Sequence, residues 1–392
     1  MSYNFDNVVN RCGTDSVKWC QFPPDALPLW VADMDFRSPE PVIAALQERV
    51  RHGVFGYGKE PSELRTVLVE RLQRLYGWQV EPDWLLFLPG IVIGFNLVCH
   101  AFASPGEGVF LQTPAYPPIL SAPQNAGCAR DEMELTRQAD GRYTLDLDLF
   151  ERTITERTRV FILCNPHNPV GRVFTRQELQ GMADICLRHN IILCSDEIHC
   201  DFVYPGREHI PIGALCPEVA ASSITLMAPS KTFNIAGLHL AVAIVPSAEL
   251  RKRLDAAKGG LVHGPDILSY TAALAAYRDG QLWLDDLMAY LKANRDFTVD
   301  YVNTRLPGIH VATPEGTYLA WLDCRQAGIP GNPCKFFLEQ AKVALNDGPD
   351  YGRGGEGFLR LNFGCPRSTL AEALRRMEAT LARLRDAPHP VA

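Results

Sequence analysis

Three short apolar runs, each followed at once by polar residues, constrain the fold of this chain most strongly. The runs are RVFILC ending at Cys164, NIILC ending at Cys194 and SITLM ending at Met227. They have strand length and alternate with helical patterns, which is typical of a parallel α/β sheet buried on both faces. The polar clusters that follow them are 165–168, 195–197 and 230–231. Because ligands bind beyond the carboxyl ends of strands in such sheets, we expect these clusters to form one site.

The helices of the chain carry capping signals. Thr175 and Glu178 form a capping-box pair ahead of LQGMADICLRH. Thr369 and Glu372 are predicted to do the same for the C-terminal helix. Both pairs place a side-chain acceptor where the first backbone N–H groups of a helix lack partners.

The last third of the chain has a different order of elements. IHVATPEGTYLAWLDCR and GFLRLNF look like strands. The helices predicted around them lie near 283–304, 333–345 and 369–385. This mixture predicts a smaller α+β domain completed by the N-terminal segment. We therefore expect a large domain over 49–285, and a small one formed by 1–48 and 286–392.

The composition excludes several classes of function. A net charge of −7 over 392 residues disfavours nucleic acid and anionic membranes as partners. No apolar run reaches the roughly 20 residues of a membrane span, and no signal-peptide pattern is visible, so we expect a cytoplasmic protein. The twelve cysteines include no C-x-x-C pair, which predicts free buried thiols and no zinc site.

Lys231 is the one charged residue between Glu218 and Glu249. Removing a lysine from water is costly unless it is paired or loses its proton. A buried lysine that sheds its proton becomes a nucleophile. The ordinary alternative is a lysine whose head reaches solvent at the end of a strand.

An electron-sink cofactor that forms an imine with lysine needs a neutral amine, an acid for its ring nitrogen, a phosphate site and ring contacts. Lys231 supplies the amine and Asp196 the acid. Gly90, Ile91 and Val92 open an apolar helix whose free N–H groups suit a phosphate. Asp196 could instead cap a turn, and Gly90 could begin an ordinary buried helix.

Two glycine-rich segments imitate nucleotide-binding motifs. GVFGYGKE (53–60) nearly matches a P-loop, but Glu60 stands where a hydroxyl is required and a helix precedes the segment. GRGGEG (352–357) matches G-x-G-x-x-G, but it precedes a strand, the reverse of the dinucleotide-binding context. We interpret both as loops.

Several motifs resemble those of one enzyme family. LMAPSKTFNIAGL, CNPHNPVGRVFT, CSDEIHCDF, QTPAYPPI and FLRLNFGCPRS are similar to signature segments of fold-type-I, pyridoxal-phosphate-dependent enzymes of the aminotransferase class I/II type. LPLWVADMDFRSPEPV and HGVFGYG narrow the resemblance to cystathionine β-lyase-type C–S lyases, the MalY/PatB branch. The resemblance covers nearly the whole chain and implies a mostly parallel sheet between helices plus a smaller α+β domain.

The resemblance implies roles for individual residues. Lys231 would bind pyridoxal 5'-phosphate as an imine and remove the substrate Cα proton, and Arg360 would bind the substrate carboxylate. Tyr57 would reach the phosphate from the neighbouring subunit of a homodimer. The other implied cofactor contacts are Asp196 at the ring nitrogen, Asn168 and His199 at the phenolic oxygen, Tyr116 on the ring, Gly90, Ile91, Val92 and Ser230 at the phosphate, and Ile198. Tyr57 and Asp33 would also contact the substrate, and Tyr116 and Asp196 would join Lys231 in catalysis.

The resemblance also has alternatives. Tyr116 could be plain core, His199 a structural histidine, and Arg360 the partner of an ordinary carboxylate. The expected activity is cleavage of L-cystathionine or another cysteine S-conjugate to thiol, pyruvate and ammonia, within methionine and cysteine sulfur metabolism. The rival activities are an aminotransferase on the same fold and a regulatory or binding protein that keeps the fold. His239 and Ala228 stand where many aminotransferases place an arginine and a serine, which favours the lyase.

Overall fold

The computed structural model describes residues 3–386. The strands are β1 (Leu27–Pro28), β2 (Leu85–Leu88), β3 (Gly108–Thr113), β4 (Ala129–Glu134), β5 (Thr136–Arg137), β6 (Tyr143–Thr144), β7 (Thr158–Cys164), β8 (Ile192–Asp196), β9 (Ser223–Met227), β10 (Ala241–Ile244), β11 (His310–Val311), β12 (Leu319–Asp323), β13 (Val343–Ala344), β14 (Asn346–Asp347) and β15 (Phe358–Asn362).

The α-helices surround the sheets. They are α1 (Val17–Cys20), α2 (Glu40–His52), α3 (Ser62–Tyr76), α4 (Ile91–Phe102), α5 (Pro117–Asn125), α6 (Leu147–Thr153), α7 (Arg176–Arg188), α8 (Pro217–Ala221), α9 (Pro229–Thr232), α10 (Ala248–Ala256), α11 (Ile267–Asp279), α12 (Gln281–Arg305), α13 (Pro333–Phe336) and α14 (Arg367–Asp386).

A seven-stranded sheet in the order β2-β10-β9-β8-β7-β3-β4 forms the centre of the larger part. Its strands from β9 to β4 run parallel, and β10 is antiparallel to both of its neighbours. All residues of β3 and β9 are buried, because apolar clusters cover both faces of the sheet. The three runs that the sequence singled out are the adjacent strands β7, β8 and β9, so their polar ends share one edge.

A second sheet of four antiparallel strands, in the order β11-β12-β15-β14, is built from the C-terminal third. The N-terminal segment joins this region through β1, which pairs in parallel with β13. The predicted boundary between residues 285 and 286 falls inside the 25-residue helix α12. The domain limits stay a prediction.

Two local predictions were wrong. The structure has only α13 and a π-helical turn at Phe337–Ala341 where a helix over 333–345 was expected, because residues 343–344 pair with β1. The C-terminal helix begins at Arg367, so Thr369 lies inside its first turn, and Glu372 pairs with Arg375 and Arg376 instead of completing a capping box. The capping box of Thr175 and Glu178 is present as predicted.

Candidate active site

A cavity of about 370 Å³ lies at the carboxyl ends of the central strands. Cys164 and Asp196, the last residues of β7 and β8, lie in its wall with residues from all three polar clusters. Of the residues predicted for the site, Gly90, Ile91, Val92, Tyr116, Asn168, Asp196, Ile198, His199, Ser230, Lys231 and Arg360 line it. The clusters therefore meet as the strand pattern predicted.

Lys231 reaches the cavity from the short helix α9, four residues beyond the end of β9. Its Nζ donates to the carbonyl oxygen of Ala32 at 2.5 Å, and no Asp or Glu of residues 3–386 forms an ion pair with it. Burial, together with the nearby Arg360, lowers the pKa of Lys231 to about 8, although Asp33 and Asp196 oppose the change. A substantial neutral fraction at ordinary pH makes this amine a base and a nucleophile.

Asp196 is buried at the end of β8, and among the described residues only the N–H of Ile198 donates a hydrogen bond to its carboxylate, at 3.1 Å. Burial raises the pKa of Asp196 to about 7, and Glu197 adds to the rise while Lys231 opposes it. A buried carboxylate that faces a cavity with so few partners is suited to a ligand that brings a proton or a positive charge.

The start of α4 forms an anion site in the cavity wall. Gly90 has a φ of 134°, which a glycine adopts without strain, and it leaves the first N–H groups of the helix without a side-chain cap. The helix dipole adds positive potential there, and its first turn contains no acidic residue. Ser230 and His239 line the same cavity and offer further polar contacts.

Arg360 is a buried guanidinium with no carboxylate partner among residues 3–386. Its Nη1 donates to Asn168 Oδ1 at 3.0 Å, and its Nη2 donates to Asn346 Oδ1 at 2.6 Å and to the Trp30 carbonyl at 2.9 Å. The centroid of the Tyr351 ring lies 5.2 Å from Cζ, the central carbon of the Arg360 guanidinium. Since all these partners are neutral, Arg360 keeps its positive charge available for a carboxylate in the cavity.

Tyr116 and His199 are the aromatic side chains of the predicted set that line the cavity. Burial raises the pKa of Tyr116. Burial lowers the pKa of His199 to about 3, helped by the positive charges of Lys231 and Arg360, so the imidazole is neutral at ordinary pH. Its Nδ1 is buried without a hydrogen-bond partner, which is consistent with a group prepared for a ligand.

Two predicted site residues do not line the cavity. Asp33 binds Arg11 at 2.8 Å and lies 3.6 Å from Lys18, so within this chain its carboxylate already has cationic partners. Tyr57 projects fully exposed from the irregular segment 53–60. Their predicted contacts with substrate and cofactor stay predictions.

Three acceptors that position the cationic side chains were not found by sequence reasoning. They are the carbonyls of Trp30 and Ala32 and the side chain of Asn346. Every residue has a backbone carbonyl, so the residue types in the motif LPLWVADMDF could not show that the carbonyls of Trp30 and Ala32 accept these hydrogen bonds. Asn346 pairs with Arg360 across β14 and β15, a register that a two-residue strand does not reveal.

The sequence model of the family Aminotransferase class I and II matches residues 24–377. The chain belongs to this aminotransferase family. Within it, the chain is 39% identical over 388 residues to the protein named cystathionine beta-lyase PatB of Bacillus subtilis (strain 168), covering 97% of this chain and 100% of PatB. The family and the branch predicted from the motifs are therefore confirmed.

Two solved structures agree with the fold. The crystal structure of OvoB is 44% identical, with a TM-score of 0.92 over 97% of this chain and 99% of that one. Cystalysin from Treponema denticola, whose crystal structure contains a pyridoxal 5'-phosphate cofactor, is 32% identical, with a TM-score of 0.94 over 98% of this chain and 100% of cystalysin. The predicted fold class is confirmed.

Proposed function

We propose that this chain is a pyridoxal-phosphate-dependent C–S β-lyase. It cleaves L-cystathionine or a related S-conjugate of L-cysteine, with water, to a thiol, pyruvate and ammonia. One observation carries the proposal: a single cavity combines an amine of lowered pKa, a buried carboxylate, a helix start without a side-chain cap and a buried arginine that has no acidic partner within residues 3–386. The similarity to PatB supports the substrate class.

The donor set of the cavity fits pyridoxal phosphate. The N–H groups at Gly90, Ile91 and Val92, with Ser230, would bind the phosphate. Lys231 would bind the cofactor covalently, and Asp196 would accept a hydrogen bond from the protonated ring nitrogen. The remaining contacts proposed for the ring and its phenolic oxygen are Tyr116, Asn168, Ile198 and His199.

The side chains around the substrate then have distinct tasks. Bound pyridoxal phosphate supplies an electron sink for the electron pair that remains on Cα once its proton is removed. Lys231 takes that proton at Nζ, which a pKa of about 8 permits near neutral pH. Arg360 holds the substrate carboxylate and so fixes the orientation of the Cα–H and C–S bonds. The C–S bond breaks with departure of a thiolate.

Products formed without an acceptor separate a lyase from an aminotransferase. We expect incubation with L-cystathionine or S-methyl-L-cysteine to release thiol, pyruvate and ammonia in equal amounts without any added keto acid. A transaminase requires a keto acid as amino acceptor, so 2-oxoglutarate should leave the lyase rate unchanged. Turnover that depends on 2-oxoglutarate, with no thiol released, would instead identify an aminotransferase.

We also propose that the active unit is a homodimer, with Tyr57 completing the phosphate site of the partner subunit. In a single chain, segment 53–60 has no helix or strand and exposes Val54, Phe55 and Tyr57. Exposed apolar side chains of this density are typical of a surface that another protein covers. A cytoplasmic location remains part of the proposal, since all twelve cysteines are free thiols, as in a reducing compartment.

Tyr57→Phe is expected to weaken cofactor binding about tenfold or more, because a hydrogen bond to a charged group contributes about 1.5–3 kcal/mol. Equilibrium dialysis of pyridoxal phosphate measures the effect. Phe55→Leu in the same segment is the control, since it changes apolar packing and removes no hydroxyl group.

Mixed dimers test whether Tyr57 acts across the interface. A Tyr57→Ala subunit paired with a Lys231→Ala subunit would contain one site that combines an intact Lys231 with the partner's Tyr57. Co-expressed and purified as a hybrid, such dimers should bind the cofactor with wild-type affinity at that site. Affinity no better than that of Tyr57→Ala alone would exclude the contact between subunits.

A further inference from the structure

A buried hydrogen-bonded pair, Glu197 and His209, lies directly behind Asp196, outside the cavity. Glu197 follows Asp196 in the chain, and both side chains are buried. Consecutive residues of an extended chain point to opposite faces, so Asp196 reaches the cavity and Glu197 the other side of the sheet. Two neighbouring buried carboxylates repel each other and are costly unless at least one is compensated.

Glu197 has a complete set of partners. Its Oε1 accepts from Ser195 Oγ and from the N–H of Ile212, both at 2.9 Å, and its Oε2 lies 2.7 Å from His209 Nε2. His209 is itself buried, and its ring packs edge-on against Tyr76 with centroids 5.4 Å apart. Three donors on one carboxylate are the environment of an ionised glutamate.

Neither Glu197 nor His209 lines the cavity, so neither can touch a substrate. Their effect on chemistry must act through Asp196. We propose that Glu197 and His209 are positioning residues that set the proton affinity of Asp196 and of the cofactor ring nitrogen opposite it. This inference rests on the proposed function, because it requires the cofactor to be bound at Asp196.

The two members of the pair have opposite effects. The negative charge of Glu197 increases the affinity of Asp196 and its ring partner for their shared proton, which keeps the electron sink protonated. The hydrogen bond from His209 Nε2 disperses part of that charge, so His209 lowers the proton affinity that Glu197 raises.

The other groups that act on Asp196 are accounted for. Lys231 on α9 and the N–H of Ile198 favour its ionised form, and burial opposes it. The phenol of Tyr116 and the thiol of Cys164 also face Asp196, and their pKa values are raised, mainly by burial. Both are neutral near pH 7, so Glu197 is the one negative charge next to Asp196 among the residues that the structure describes.

The test measures the ring nitrogen directly. Holoenzyme would be reconstituted with pyridoxal phosphate labelled with ¹⁵N in the ring, and its ¹⁵N resonance followed from pH 5 to 10. Glu197→Gln should move the resonance towards unprotonated pyridine. His209→Leu removes the hydrogen-bond donor next to Glu197 Oε2 and leaves its charge less dispersed, so it should move the resonance the opposite way.

A single charge on a neighbouring residue shifts a titration by about one to two pH units at an effective dielectric constant near 20. The Glu197→Gln/His209→Leu double variant should match Glu197→Gln, because His209 acts only through the Glu197 carboxylate, and this comparison keeps the test valid if one single variant folds poorly. The control is Glu208→Gln, which removes an exposed carboxylate one residue from His209 and should leave the resonance unmoved.

Unmoved resonances, or shifts of the same sign in both single variants, would overturn the inference. That result is distinguishable from failure of the proposed function. Wild-type enzyme that binds no pyridoxal phosphate and releases no thiol would overturn the function itself, whereas loaded and active enzyme with unresponsive variants would overturn only the role of the pair.

Discussion

Lys231→Ala is expected to abolish both the covalent attachment of pyridoxal phosphate and the release of thiol. Borohydride reduction of the wild-type holoenzyme should fix the cofactor to the peptide that contains Lys231, and reduction of the variant should leave that peptide unmodified. Loss of a positioned base alone costs about 10²–10⁴-fold in rate, and loss of the attachment site adds to it.

The variant is expected to fold, so its inactivity can be assigned to chemistry. In the free chain Lys231 contributes one hydrogen bond, to the carbonyl of Ala32, and its burial is unfavourable to the charged form. Circular dichroism should therefore match wild type. The control is Lys252→Ala, which removes an exposed lysine of α10. A reduced cofactor adduct on any other active-site residue would show that Lys231 is not the attachment site.

The site was predictable from sequence where strand order determines it. β7, β8 and β9 are adjacent and parallel, so each polar cluster that follows them had to arrive at the same edge. The isolation of Lys231 in the sequence also predicted its electrostatics, because a lysine without an acidic neighbour cannot resist the effect of burial on its pKa.

What the sequence did not reveal depends on tertiary contacts. The predicted contact of Asp33 with the substrate stays a prediction, but its ion pairs with Arg11 and Lys18 were not foreseen. The helix predicted over 333–345 has a suitable apolar pattern, yet pairing of β13 with β1 draws its last residues into a strand. Neither contact has a signature in the local sequence. β1 and β13 lie near opposite ends of the chain, and nothing in the residues around Asp33 indicates which cations it pairs with.

The two glycine-rich segments, 53–60 and 352–357, were correctly interpreted as loops. The second segment shows the physical reason. Gly352 and Gly354 line a separate cavity of about 660 Å³, whose arginines Arg137 and Arg325 are paired with Asp323. The segment leads into β15 and not into a helix, so no helix dipole faces it. The larger cavity contains none of the buried groups, Lys231, Asp196 and Arg360, that mark the smaller one as the site.

Replacing Arg360 is expected to cause the second largest loss. Arg360→Ala removes the guanidinium that we propose for the substrate carboxylate, and two hydrogen bonds to a charged group at about 1.5–3 kcal/mol each correspond to roughly 10²–10⁴-fold in kcat/KM. Steady-state thiol release measures it. Since the pKa of Lys231 is lowered partly by Arg360, Arg360→Ala should also shift the acidic limb of the pH–rate profile, on which Lys231 loses its proton, to higher pH.

Arg360→Lys separates charge from geometry. It keeps a positive charge but cannot form the planar, two-pronged contact, and it loses the bonds that Asn168 and Asn346 accept. We expect it to recover only part of the loss, mainly in KM. Arg353→Lys, at an exposed arginine of the neighbouring loop, is the matched control and should leave kcat/KM unchanged. Arg360 was assigned to the substrate carboxylate because its partners among the described residues are all neutral. Wild-type kinetics in Arg360→Ala would contradict that assignment.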